Sequence, residues 1–153
     1  MFMRIRVNDS NIVYSRASRE DRISIINLLK SSSGDKSSFD INEFYVAKDE
    51  HKLIGCVRIK IFEGDCLELS SLAVETRYRH RGIGSKLVGK ILVQESSRPI
   101  FLLTSPDKES FYKKFGFVII APQRLPDVFK REYDRVSDLP FAKNLEIIAM
   151  VIE

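Results

Sequence analysis

Cysteine and histidine are scarce in this chain, two of each in 153 residues. Cys56 and Cys66 stand in apolar, strand-like stretches without partners at metal-ligand spacing. That excludes a disulfide framework or a structural zinc site, and leaves an expected pair of buried free thiols in a reducing cell. His51 falls in an expected turn and His80 in a charged loop, neither beside a metal-type partner, so no metal is expected. Long apolar runs are also missing. None approaches the roughly eighteen residues of a membrane helix, and Met1 to Arg6 lacks the apolar core of a secretory leader, which makes the cytoplasm the default location. No internal repeat is found. Charge of one sign is not dominant either: 25 basic residues are interleaved with 21 acidic ones, for a net charge of +4. The surplus favours an anionic small ligand over nucleic acid, since the aromatics read as core and not as a base-stacking platform.

What is there suits one domain of residues 1–153 with one substantial core: 44% hydrophobic and 30% charged residues. Met3 to Val7 and Ile12 to Arg16 flank Asn8-Asp9-Ser10 as a hairpin or a broken strand. Ser18 and Asp21 open a helix with an apolar stripe of Ile23, Ile26, Leu29 and Ile25, ending at Lys30. Ser31 to Asp40 loses all periodicity and by composition reads as a flexible loop. Phe44 to Lys48, Leu53 to Phe62 and Cys66 to Val74 form an antiparallel meander. Ile83, Leu87, Val88, Ile91 and Leu92 share one helical face, and Gly89 within that helix suggests close packing on the sheet. Ile100 to Leu103 is a short buried strand. Ser105-Pro106 starts a helix that Gly116 stops, and Phe117 to Ile120 is again a strand. Prolines bracket Ala121 to Lys143, which holds one helix near Asp127 to Tyr133, and Leu145 to Ile152 closes the chain as a strand.

The chain is organised around Arg79-His80-Arg81-Gly82-Ile83-Gly84. A strand ends at Val74, a charged loop carrying Arg77, Arg79, His80 and Arg81 follows, and two glycines open a helix. The first-turn amides of a helix lack intrahelical partners, and the helix dipole leaves partial positive charge there, so phosphate oxygens suit this place. Glycine removes the Cβ that would hold a ligand away. The alternative reading is an ordinary turn beside a solvated basic face. The spacing fits neither the Walker pattern nor the dinucleotide Gly-x-Gly-x-x-Gly fingerprint.

Leu72-Ala73-Val74 followed by Arg79-x-x-Gly82-x-Gly84 and Leu87 resembles the acetyl-CoA signature of the GCN5-related N-acetyltransferase (GNAT) family. Phe111-Tyr112-Lys113-Lys114-Phe115-Gly116-Phe117 resembles that family's other common motif, and the likeness is good from about Phe44 to Ile120. It implies an α/β (α+β) fold with a mixed, mostly antiparallel central sheet of about six or seven strands flanked by helices. It also implies acetyl-CoA as co-substrate, and transfer of its acetyl group to a primary amine by direct attack in a ternary complex. Carried over, Arg79, His80, Arg81, Gly82, Ile83, Gly84 and Ser85 hold the pyrophosphate, while the main chain of Leu72, Ala73 and Val74 pairs with the pantetheine arm. Thr76 stands where a proline is common, and Thr104-Ser105 where many members use an asparagine. The resemblance also places the region of Ser31 to Asp40 beside the acceptor, which makes that loop either a lid or a plain linker.

Amide formation requires a neutral amine, although lysine titrates near 10.4 and an α-amine near 7.7 to 8.0, so a base or a water chain is needed. Glu68 is the candidate base; strand alternation places it with Ser70, Leu72 and Val74, and burial would raise its carboxyl toward a useful range. A solvent-facing or salt-bridged glutamate is the alternative. By resemblance Tyr112 protonates the leaving sulfur; the alternative is a core aromatic among Phe111, Phe115 and Phe117. The acceptor is an amino-acid-like small molecule or a lysine or N-terminal amine of a protein. Asp35, Asp40 and Glu43 hint at a cationic acceptor, while Leu125-Pro126-Asp127-Val128 resembles members acting on small amino-acid-like amines. No membrane or nucleic-acid partner is expected, the protein is expected to be a monomer or homodimer, and the rival function is a non-catalytic acetyl-CoA-binding regulatory module.

Overall fold

The computed structural model describes residues 11–31 and 38–153. The expected strand Met3 to Val7, the Asn8-Asp9-Ser10 break, most of the serine-rich loop and Asp35 lie outside the described residues. Seven strands pair in the order β1-β2-β3-β4-β5-β7-β6. They are β1 (Ile12–Arg16), β2 (Phe44–Asp49), β3 (Lys52–Phe62), β4 (Cys66–Val74), β5 (Ile100–Thr104), β6 (Val118–Ile120) and β7 (Ile148–Ile152). The helices are α1 (Arg22–Lys30), α2 (Ile83–Gln94), α3 (Glu109–Lys113) and α4 (Asp127–Ser137). A parallel register, Leu67↔Ile100 and Glu68↔Phe101, joins β4 to β5, and the connection between them carries α2. β1–β2, β5–β7 and β6–β7 are antiparallel. The α/β class and the mostly antiparallel seven-stranded sheet are as expected.

Two compact units share the chain: Met1–Val57 with Ser71–Ile91, and Arg58–Ser70 with Leu92–Glu153. In the first, Ser18 opens the α1 segment. Its N–H donates to Asp21 Oδ2 at 2.8 Å while the Asp21 N–H reaches back to the Ser18 carbonyl at 2.9 Å. Asp21 also meets Lys48 Nζ at 2.8 Å. Burial pushes its carboxyl up, but the Lys48 ammonium and the Ser18 donors outweigh that, and its pKa is lowered. Ile25 and Leu29, four residues apart, carry the buried stripe with Phe44, Val46, Cys56 and Ala73. Ile23 was expected in that stripe and is 72% exposed; two residues from Ile25, it lies about 200° around the helix. α2 buries Ile83, Leu87, Val88 and Ile91. The close approach of helix and strand shows at Gly55, where an added Cβ would lie 3.0 Å from Leu87 Cδ1 and 3.5 Å from Ile83 Cγ2.

In the second unit, Phe129 on α4 stacks on Phe101 at 5.2 Å and meets Phe62 edge-on at 6.1 Å. Leu125, Ala149 and Val151 complete this core, with Cys66 at its margin. Charge is buried here as well. Lys60 Nζ lies 4.0 Å from Glu132, whose oxygens also take Arg135 Nη2 at 2.6 Å and Nε at 3.0 Å. Helix α4 runs to Ser137, four residues beyond the expected end, and β7 begins at Ile148 instead of Leu145. Cys56 is buried, whereas Cys66, expected to be buried with it, is only partly so; both are free thiols.

Candidate active site

In the first unit a loop and a helix start follow β4 at the place where the anion cradle is expected. β4 ends at Val74, a 3-10 turn spans Thr76–Tyr78, and α2 starts at Ile83. The first intrahelical bond runs from the Lys86 N–H to the Gly82 carbonyl at 3.1 Å. The amides of Ile83, Gly84 and Ser85 therefore precede the helical ladder and point out of its N-terminus. Gly82 has φ 80 and nothing within 4 Å of where a Cβ would be, so the space beside its Cα is open. His80 also takes a left-handed backbone, φ 63. Such a turn, with guanidinium groups beside it, fits a pyrophosphate.

The two arginines act differently. Arg79 folds back so that its Nε donates to the Val74 carbonyl at 3.1 Å. Arg81 lies over the Tyr78 ring at 5.8 Å, and the Tyr78 hydroxyl donates to Asp49 Oδ2 at 2.7 Å. That hydrogen bond raises the Tyr78 pKa, with burial and the Asp49 charge adding to it. Lys52 Nζ holds Glu75 at 2.9 Å. These contacts splint the loop on β2 and β3, and nothing in the local spacing of Tyr78 or Asp49 announces them. The Arg79 contact also occupies the Val74 carbonyl.

β4 itself is broken at Ser71, with φ 54 in mid-strand. The left-handed backbone at Ser71 interrupts the expected single alternation joining Glu68 to Ser70, Leu72 and Val74. The paired serines in an apolar strand are the signal that could have marked the break.

In the second unit Glu68 is 5% exposed, which removes its solvent-facing alternative. It lies beside Cys66, whose thiol is pushed up by burial and then by the Glu68 charge. Tyr112, partly covered on α3, packs edge-on against Phe111 at 4.9 Å and Phe117 at 6.1 Å. Burial raises its phenol to about 12. Gly116, φ 100, ends that helical segment. Ser105 bonds through its hydroxyl to Asp107, and Asp40 caps the 3-10 turn Ile41–Glu43 by accepting from the Asn42 N–H at 3.0 Å. Among the described residues no group of three or more His, Cys, Asp or Glu is placed to hold a metal ion, and no helix is long and apolar enough to cross a membrane.

Comparison with known proteins gives the same reading. Residues 40–119 match the family model described as an acetyltransferase (GNAT) domain. An uncharacterized N-acetyltransferase of Chlorobaculum tepidum is 32% identical over 114 residues, 72% of this chain and 70% of that protein. An amino-acid acetyltransferase of Ectopseudomonas mendocina is 31% identical over 91 residues, 57% of this chain but only 21% of that protein. Among solved structures, N-acetylglutamate synthase from Neisseria gonorrhoeae, complexed with coenzyme A and N-acetyl-glutamate, superposes with a TM-score of 0.72 at 21% identity, over 93% of this chain and 35% of that one. A family match over more than half of the chain, with a relative 32% identical along most of its own length, shows that the chain belongs to the GNAT family of N-acetyltransferases.

Proposed function

We propose that residues 1–153 form a single N-acetyltransferase domain that moves the acetyl group of acetyl-CoA onto the α-amine of a small amino-acid-like acceptor, in the cytoplasm. The observation that carries the coenzyme assignment is the open turn at Gly82, with the unladdered amides of Ile83, Gly84 and Ser85 beneath it and Arg81 alongside. Support for the acceptor comes from the amino-acid acetyltransferases, which match at 31% and 32% identity, and from the fold shared with N-acetylglutamate synthase.

The chemistry assigns one role to each candidate. A neutral amine attacks the thioester carbonyl; the C–N bond forms, the C–S bond breaks, and nitrogen gives up a proton. Glu68 takes that proton, directly or through water, its burial favouring a protonated product. Tyr112 serves the sulfur. With its phenol at about 12 against a thiol near 8.5, its chief contribution is a hydrogen bond donated to the departing sulfur. The main chain of Leu72, Ala73 and Val74 lines the pantetheine arm, and Arg79, His80, Arg81, Gly82, Ile83, Gly84 and Ser85 receive the pyrophosphate.

Release of free coenzyme A thiol from acetyl-CoA, assayed against a panel of amino acids and of peptides with free N-termini, tests this. Amino-acid-dependent release is expected. Release with peptides alone would move the acceptor to a protein amine, and tight acetyl-CoA binding without any amine-dependent release would leave a regulatory module.

A further inference from the structure

Of the five charged side chains that are buried among the described residues, four belong to the second unit: Arg58, Lys60, Glu68 and Glu132. Ions are sealed from water only where other charges and hydrogen bonds hold them. A connection of three residues, Glu63–Asp65, joins β3 to β4, its neighbour in the sheet, and one so short makes an antiparallel hairpin. Lys60, two residues before the end of β3, thus lies level with Glu68, two residues into β4. Side chains paired in this way are about 5 Å apart at Cβ. Both lie on the face that α4 covers. Glu68 is in register with Phe101, which stacks on Phe129 of α4. Lys60 reaches Glu132 of α4, and its Nζ lies 4.8 Å from the centre of the Phe62 ring.

The two carboxylates stand differently toward Lys60. Glu132 Oε1 is 4.0 Å from its ammonium, beyond hydrogen-bond length, and both Glu132 oxygens accept from Arg135. The attraction between Glu132 and Lys60 is therefore coulombic, and Arg135 pins the carboxylate that exerts it. The ionisable groups on the elements about Glu68 are Lys60 and Arg58 on β3, the Cys66 thiol on β4, and Glu132, Tyr133 and Arg135 on α4, while β5 opposes it with apolar Phe101. We propose that Lys60 is a positioning residue for the Glu68 base: its ammonium, shared between Glu68 and Glu132, keeps Glu68 ionised in the resting enzyme, so that Glu68 can take the proton of the attacking amine. An ammonium beside a carboxylate favours the charged form and opposes the effect of burial, and a second carboxylate nearby tempers it. The inference rests on the assignment of Glu68 as the base and deepens it.

NMR titration of the glutamate carboxyls in the full chain, labelled at Cδ, tests the proposal, with the Glu68 signal identified by its loss in Glu68→Gln. Lys60→Met, which keeps the apolar stem, should raise the Glu68 midpoint by about one pH unit or more, the effect of one close opposite charge. Lys60→Arg should hold it near the wild-type value, and Glu132→Gln should lower it. The opposite signs separate charge from packing, since a disturbance that merely admits water moves the midpoint the same way in both variants. With the amino acid that gives the fastest release of coenzyme A, the acidic limb of kcat against pH should move up in Lys60→Met together with the NMR midpoint. A midpoint that does not rise in Lys60→Met, or one that rises in Glu132→Gln, overturns the proposal, as does a higher KM for the acceptor with neither titration shifted. If Lys60→Met does not fold, the sign in Glu132→Gln decides. Full activity in Glu68→Gln overturns the base assignment itself, and the role of Lys60 with it, whatever the titration shows.

Discussion

At the scale of single residues, burial decides which groups hold their protons. The Cys56 thiol is pushed from an ordinary 9 up to about 12 by burial, with the Ala73 N–H partly opposing it, and Tyr112 from 10 to about 12. In each case the folded state binds the proton more tightly than the unfolded chain. The stability they contribute is therefore intact below pH 9 and is lost as pH rises from 9 toward 12, at up to about 1.4 kcal/mol per pH unit per group. Chemical denaturation followed across pH 7 to 11 should be flat up to about pH 9 and then fall. Cys56→Ala should make that fall shallower, with Cys66, Tyr78 and Tyr112 still contributing, and wild-type Cys56 should resist thiol reagents at pH 8 in the folded state. The same covered phenol makes Tyr112→Phe a clean test of chemistry. Loss of its hydroxyl should lower kcat about 10- to 100-fold, within reach of one acid–base or hydrogen-bonding group. KM for acetyl-CoA and the melting temperature should change little, because the ring keeps its contacts with Phe111 and Phe117.

Elements are held by a few contacts whose removal has a calculable sign. Gly82 faces open space but has φ 80. Gly82→Ala meets no clash, yet forces a backbone that alanine adopts at a cost of about 1 to 3 kcal/mol. The turn should re-form differently, and the KM for acetyl-CoA should rise about tenfold or more while the circular dichroism spectrum is unchanged. Gly55 is the opposite case. Its φ is not left-handed, but a Cβ there would press on Leu87 Cδ1 at 3.0 Å and on the Ala73 carbonyl at 3.4 Å. Gly55→Ala should therefore destabilise the protein by about 1 to 3 kcal/mol in urea unfolding, since only the end of Leu87 can give way. At the entry to α1 the Ser18–Asp21 pair contributes its share only while Asp21 is ionised. Its pKa is depressed in the fold, so this stability is present above pH 4 and fades on acidification.

For the molecule as a whole, ligand binding and stability are linked. Coenzyme A at a hundred times its Kd should add about 2.7 kcal/mol to the free energy of unfolding, several degrees in Tm. Raised salt should shrink the shift, because the phosphate contacts proposed at Arg81 and the α2 amides would be exposed and screened. A thermal scan with coenzyme A at two ionic strengths checks both. Much of this could be read from residues close together in the chain. Gly82 and Gly84 after a run of arginines marked the turn ahead of α2, the Ile83, Leu87, Val88, Ile91 spacing specified the buried face of α2, and Gly116 after Tyr112 specified a helix stop. These are local signals: a backbone angle, a period and a missing Cβ act within a turn or two of where they are written. Which side of α1 is covered, why Ile23 is left in water while Ile25 is sealed, how Lys60 is tolerated at 9% exposure beside Glu132 some seventy residues away, and that Ser71 takes a left-handed backbone within β4 were decided only by tertiary structure. Burial and charge pairing depend on what arrives from distant parts of the chain, and no period within one segment records its partner.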